Sequence, residues 1–106
     1  MPANGFGFSA ANSAALRALP DLLYRWLPGG KVCGSEYITR NPRRGDQHPG
    51  SFKINTRTGR WADFATDAKG GDPVSLAAYL FNLSQFEAAR RLAQMLGVQV
   101  GNATNG

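Results

Sequence analysis

The stretch from Pro49 to Pro73 most constrains what this chain can fold into. Within it Phe52 and Ile54 alternate with polar neighbours, and Arg60, Ala62 and Phe64 alternate with Trp61 and Asp63. That is the two-residue period of half-buried strands rather than the period of a helix. Between the two runs, Asn55 to Gly59 is polar and ends in glycine, which suits a type I turn closed by a left-handed residue and hence a hairpin. Directly afterwards Gly70-Gly71 supplies a tight turn, and Asp72-Pro73 reads as an N-cap followed by proline at the first helical position. The hairpin carries Lys53, Arg57 and Arg60 beside Trp61 and Phe64, so a basic, aromatic hairpin is delivered onto a helix start.

The flanking segments complete an α+β pattern. Ser13 to Leu27 places Leu16, Leu19, Leu22, Leu23 and Trp26 at spacings of three and four, an amphipathic helix in which Pro20 predicts a kink or restart. Lys31 to Arg40 reads as one strand, with Gly34 as a bulge or close contact. Asn41 to Gly50 is a long, polar, basic loop. Asp72 to Asn82 has a helical period, and a last helix is announced by the capping box Ser84-Gln85-Phe86-Glu87, an apolar stripe of Phe86, Ala89, Leu92, Ala93 and Leu96, and Gly97 at the C-cap. The expected fold is an N-terminal helix, a small three-stranded antiparallel sheet from Lys31 to Phe64, and two C-terminal helices packed on it. Residues 13–98 form the domain, with 1–12 and 99–106 as flexible tails.

Charge narrows the function. Of the formal net charge of +5, residues 31–60 hold seven basic and two acidic side chains, the first 30 residues net +1, and the remainder net −1. An excess confined to the strand-and-loop region is the footprint of a nucleic-acid-binding surface, the plainer reading being a solvated basic face. Catalysis and metal binding find little to work with. His48 and Cys33 are the only histidine and cysteine, and joining Asp63 or Asp67 to them would make an uncommon zinc site. Gly70-Gly71 before a helix resembles a phosphate-binding turn, but no Gly-Lys-Ser/Thr follows. One cysteine, no signal-like segment and no long apolar run point to a reducing cytoplasm and to no membrane partner.

The order of these features resembles the small zinc-ribbon domain at the N-terminus of bacterial replicative primases and of phage and plasmid primase-helicases. That family runs Cys-Pro-x-His, a polar loop, Pro-Ser-Phe opening a strand, a Gly-containing hairpin, an aromatic strand ending in Cys-x-x-Cys-Gly, Gly-Gly-Asp starting a helix, and a final helix with Phe-x-x-Ala. Here Gly70-Gly71-Asp72 and Phe86-Glu87-Ala88-Ala89 match the pattern directly and Pro49-Gly50-Ser51-Phe52 opens the strand with one added glycine, while Asn41-Pro42-Arg43-Arg44 and Phe64-Ala65-Thr66-Asp67 stand where the metal ligands would be. The resemblance, over Leu22 to Val98, therefore implies a degenerate version without zinc or other cofactor.

What the resemblance implies is a single-stranded DNA binding module, not an enzyme, from a replication protein of a phage, plasmid or other mobile element. Arg40, Arg43, Arg44, Lys53, Arg57 and Arg60 would contact phosphates, and Tyr37 or Trp61 would stack on a base. Phe52, Gly70, Gly71 and Asp72 would be structural, with Phe64 a core plug at a former ligand position. The rival expectation is a protein-interaction module that docks a helicase or polymerase.

Overall fold

The computed structural model describes residues 8–43 and 50–98. In chain order the elements are α1 (Phe8–Arg17), α2 (Leu19–Trp26), β1 (Lys31–Cys33), β2 (Glu36–Thr39), β3 (Phe52–Asn55), β4 (Trp61–Asp63), β5 (Ala68–Gly70), α3 (Pro73–Phe81) and α4 (Gln85–Leu96). The α+β class is as expected, but the sheet has five antiparallel strands in sequential order, not three.

Two turns account for the extra strands. Gly34, at φ +62°, opens a two-residue loop with Cys33 opposite Glu36, so the single strand expected over Lys31 to Arg40 is a hairpin. A glycine that could mark a bulge is here the first residue of a Gly-Ser hairpin loop, whose positive φ matches the twist of the flanking strands. The second turn is organised by Asp63. Its carbonyl accepts the N–H groups of Thr66 and Asp67 at 3.2 and 2.9 Å, and its Oδ1 accepts the N–H of Ala65 at 2.9 Å. The chain thereby reverses and β5 pairs with β4. The Asn55–Gly59 turn forms as its sequence predicts: Gly59 has φ +81°, its N–H donates to Asn55 O, and Asn55 Oδ1 accepts the N–H groups of Arg57 and Thr58.

The N-terminal helical region divides at Ala18, leaving Pro20 in the first turn of α2, where a missing N–H costs nothing. Residues 8–12, expected in a flexible tail, belong to α1. Ala11 and Ala15 are fully buried against Ala88, Ala89, Leu92 and Ala93 of α4, and small side chains on both helices permit this close approach. Asn12 also accepts the N–H of Val74, one of the donors that the first turn of α3 leaves without a helical partner. The remaining tail residues, 1–7 and 99–106, lie outside the described residues.

The core has two parts. One is helical, formed by α1, α3 and α4 with Leu22 of α2. The other lies between the sheet and the helices α2 and α3, where Leu19, Leu23, Leu27 and Leu76 pack on Tyr37, Phe52, Ile54 and Trp61. The sheet is therefore covered by α2 and α3, whereas α4, expected on it, packs on α1 and α3. The α3 N-terminus is capped as predicted: Asp72 accepts the Ser75 N–H and Pro73 follows it. On α4, Ser84 accepts the Glu87 N–H, but the Glu87 carboxylate binds Arg90 and Arg91 instead of reaching back to the cap. Phe86, expected on the apolar stripe, is half exposed, and Ala88 is buried instead.

Candidate nucleic-acid interface

Because side chains alternate across a strand and residues directly opposite share a face, the register fixes both faces of the sheet. Facing the helices are Tyr37, Ile54 and Trp61 in one row and Thr39, Phe52 and Asp63 in the next. On the other face one row runs Lys31, Ile38, Lys53, Ala62, Lys69 across all five strands. A parallel row holds Cys33, Glu36 and Asn55, and continues to Arg60, whose carbonyl accepts the Asn55 N–H at 2.7 Å. On the opposite flank Phe64 donates its N–H to Ser51 O at 2.9 Å, which sets Phe64 on this outer face. Arg40, one residue beyond the inward Thr39, is exposed on the same parity.

The outer face is thus basic, with Lys31, Lys53, Lys69 and Arg60 spread over strands about 4.8 Å apart. Among the described residues none of these cations forms an ion pair; the pairs present join Glu87 to Arg90 and Arg91 on α4. Phe64 is 71% exposed, and Lys53 Nζ lies 5.8 Å from its ring centroid. An open depression of about 570 Å³ is floored by Ala62 and walled by Lys53, Arg60, Phe64 and Lys69.

This placement corrects the sequence-based site in several respects. Tyr37 and Trp61, the expected stacking residues, are 2% and 5% exposed. The Tyr37 hydroxyl donates to Leu27 O at 2.6 Å and accepts the Gly30 N–H, and burial pushes its phenol above the ordinary value. Trp61 Nε1 donates to Ser75 Oγ at 2.9 Å, beneath a strand residue that must be glycine, since a Cβ on Gly70 would collide with the indole and with that hydroxyl. Both rings are committed to the core. Phe64, expected as the core plug, is exposed on the outer face instead, because Trp61 and Asp63 take the inward parity of β4. Phe52 is buried as expected, Gly71 has open space around it, and Asp72 is the α3 cap.

Of the expected phosphate ligands, Lys53, Arg60 and Arg40 share the outer face and Arg57 is exposed in the β3–β4 turn. Arg43 is elsewhere: its guanidinium donates to Tyr79 O at 3.0 Å and lies 5.0 Å from the Tyr79 ring centroid. Arg44 falls outside the described residues, as does His48. Lys31, Lys69 and Ala62 were not anticipated, since Lys69 joins the face only once Ala68–Gly70 is recognised as a strand.

The first of the stretches equated with ligand turns is tied to Asp63, the residue just before the second. Asn41 Nδ2 donates to Asp63 Oδ2 at 2.6 Å and to the Tyr79 hydroxyl at 2.8 Å, while Asn41 Oδ1 accepts the Arg43 N–H. Asn41 and Asp63 are fully buried, so their hydrogen bonds keep two strongly polar groups satisfied inside the core. Among the described residues no group of three or more His, Cys, Asp and Glu side chains converges on a metal position. No helix among them is long and apolar enough to cross a membrane. No family model matches the sequence, and neither does any curated protein.

Proposed function

We propose that the protein is a single-stranded DNA binding module that holds its ligand on the outer face of the sheet, in the manner of a primase-type template-binding domain from a mobile-element replication protein working in the cytoplasm. The observation that carries the reading is the row of Lys31, Lys53 and Lys69, flanked by Arg60 and by exposed Phe64, on the sheet face away from the helices. Cations with no ion-pair partner among the described residues attract the sugar-phosphate backbone, and an exposed ring offers every base a π face. A duplex would present its phosphates but bury its base faces, leaving Phe64 without a role, so an unpaired strand is the better ligand. The role is one of binding, with no bond made or broken by this chain.

Titrating a fluorescent oligothymidylate at several salt concentrations tests this. With about four phosphate contacts, log K falls against log salt with a slope of roughly −3, at about −0.7 per contact for a single strand. Lys53→Ala with Lys69→Ala should weaken binding and flatten that slope by about 1.4, whereas Arg90→Ala with Arg91→Ala should leave it unchanged. Loss of binding in the helix pair and not in the sheet pair would remove the outer face as the interface.

The rival reading, a module docking a helicase or polymerase, draws on a different surface. An apolar groove of about 280 Å³ between Trp26, Phe81, Leu83 and Met95 opens beside α4, and Phe81 and Met95 are about half exposed. Failure to bind single strands even at low salt would favour it.

A further inference from the structure

We infer that the depression over Ala62 reads a base and selects guanine, an inference that rests on the single-strand reading of the outer face. Ala62 is the short side chain in a row of long ones, flanked across the strands by Lys53 and Lys69 and along β4 by Arg60 and Phe64. The rim of the resulting depression also holds Glu36 and Asn55, which stand directly opposite each other on β2 and β3.

Those two side chains present fixed and different chemistry. Asn55 Oδ1 already accepts the N–H groups of Arg57 and Thr58 at 2.9 and 3.0 Å, which sets the orientation of the amide and leaves Nδ2 to donate. The Glu36 carboxylate, which has no ion-pair partner among the described residues, can only accept. A donor beside a two-oxygen acceptor complements the Watson–Crick edge of guanine: O6 accepts from Asn55, and the N1 and N2 donors both face Glu36. Adenine, cytosine and thymine each bring a single donor group to that edge and leave one carboxylate oxygen unmatched. A bidentate contact to a charged group is the stronger kind, and it discriminates between bases.

The charge pattern supports the same assignment. A carboxylate among Lys31, Lys53 and Arg60 opposes phosphate binding, and a base edge that donates to it gives its presence there a use. Phe64 lies within reach of a stacked base, while Lys53 and Lys69 stand on either side for the adjoining phosphates.

Fluorescence anisotropy on the whole chain tests the inference, using short oligothymidylates that carry one central dG, dA, dC or deoxyinosine. The dG strand should bind roughly tenfold more tightly than all-dT, within the range of one good bidentate base contact. Deoxyinosine, which keeps O6 and N1–H but lacks the N2 amino group, should fall between. Glu36→Gln should abolish the dG preference while binding all-dT at least as tightly, since it removes a negative charge from a basic face. Equal affinity for all strands, or a dG preference untouched by Glu36→Gln, overturns the base reading and leaves the interface standing. Failure to bind any strand overturns both.

Discussion

On the face of the sheet turned to the helices, Tyr37, Phe52, Ile54 and Trp61 are packed beneath α2 and α3, whereas one residue along the same strands Glu36, Lys53, Asn55 and Ala62 face away. The contrast lies in how polar groups are treated as much as in hydrophobicity. On the inner face three polar side chains have protein partners: the Tyr37 hydroxyl meets Leu27, Trp61 meets Ser75, and Asp63 meets Asn41. On the outer face the cations Lys31, Lys53, Lys69 and Arg60 have no ion-pair partner among the described residues. On the proposed reading, folding and binding fall on alternate residues of the same strands, so each should be open to perturbation without the other.

The sharpest break of that contrast is Trp61→Ala. It empties a large buried volume and strips Ser75 of a donor, and should cost about 3 to 5 kcal/mol, a large part of the stability of a small domain. Chemical denaturation reads it, and a variant that unfolds at the native midpoint would mean the inner face is not the core. Asn41→Ala comes next, at about 1 to 3 kcal/mol, because Asp63 and Tyr79 lose a buried donor; binding by the folded fraction should persist. Phe64→Ala is the mirror image of Trp61→Ala. It should leave stability within about 0.5 kcal/mol and weaken single-strand binding by about 1 to 3 kcal/mol.

The smallest expected effect lies away from both faces. Glu87 is held down to about 2 by hydrogen bonds from Arg90 and then Arg91. A carboxylate whose folded value is depressed stabilises fully above its unfolded value and loses that contribution as pH falls toward the folded one. The window is therefore from about 4.5 down to about 2. Solvent and salt screen so exposed a cluster, and the comparison of interest is a slight flattening of the acid limb of stability in Glu87→Gln.

Much of this was legible in the sequence because it depended on local chemistry. The Asn55–Gly59 turn, the Asp72-Pro73 start, the Ser84 cap and the Gly97 stop each follow from a residue whose side chain or φ preference acts within a few positions. What escaped was decided at a distance. Alternation in β4 separates Trp61 and Asp63 from Ala62 and Phe64, but it does not say which pair faces inward. That choice rests on Ser75 and Asn41, which supply partners for Trp61 and Asp63 across the fold. The strand Ala68–Gly70 is too short to announce itself and exists because Asp63 turns the chain back. α1 was missed in part because an alanine-rich start looks like a tail until α4 offers it a matching small-residue surface.

The division between the two faces is tested most directly by mapping backbone amide shifts while single-stranded DNA is added to the labelled protein. The account predicts that the largest changes fall at Lys53, Ala62, Phe64 and Lys69, with little at Arg90 and Arg91. Changes concentrated instead around Phe81 and Met95, or a spectrum that does not respond to DNA at low salt, would contradict it.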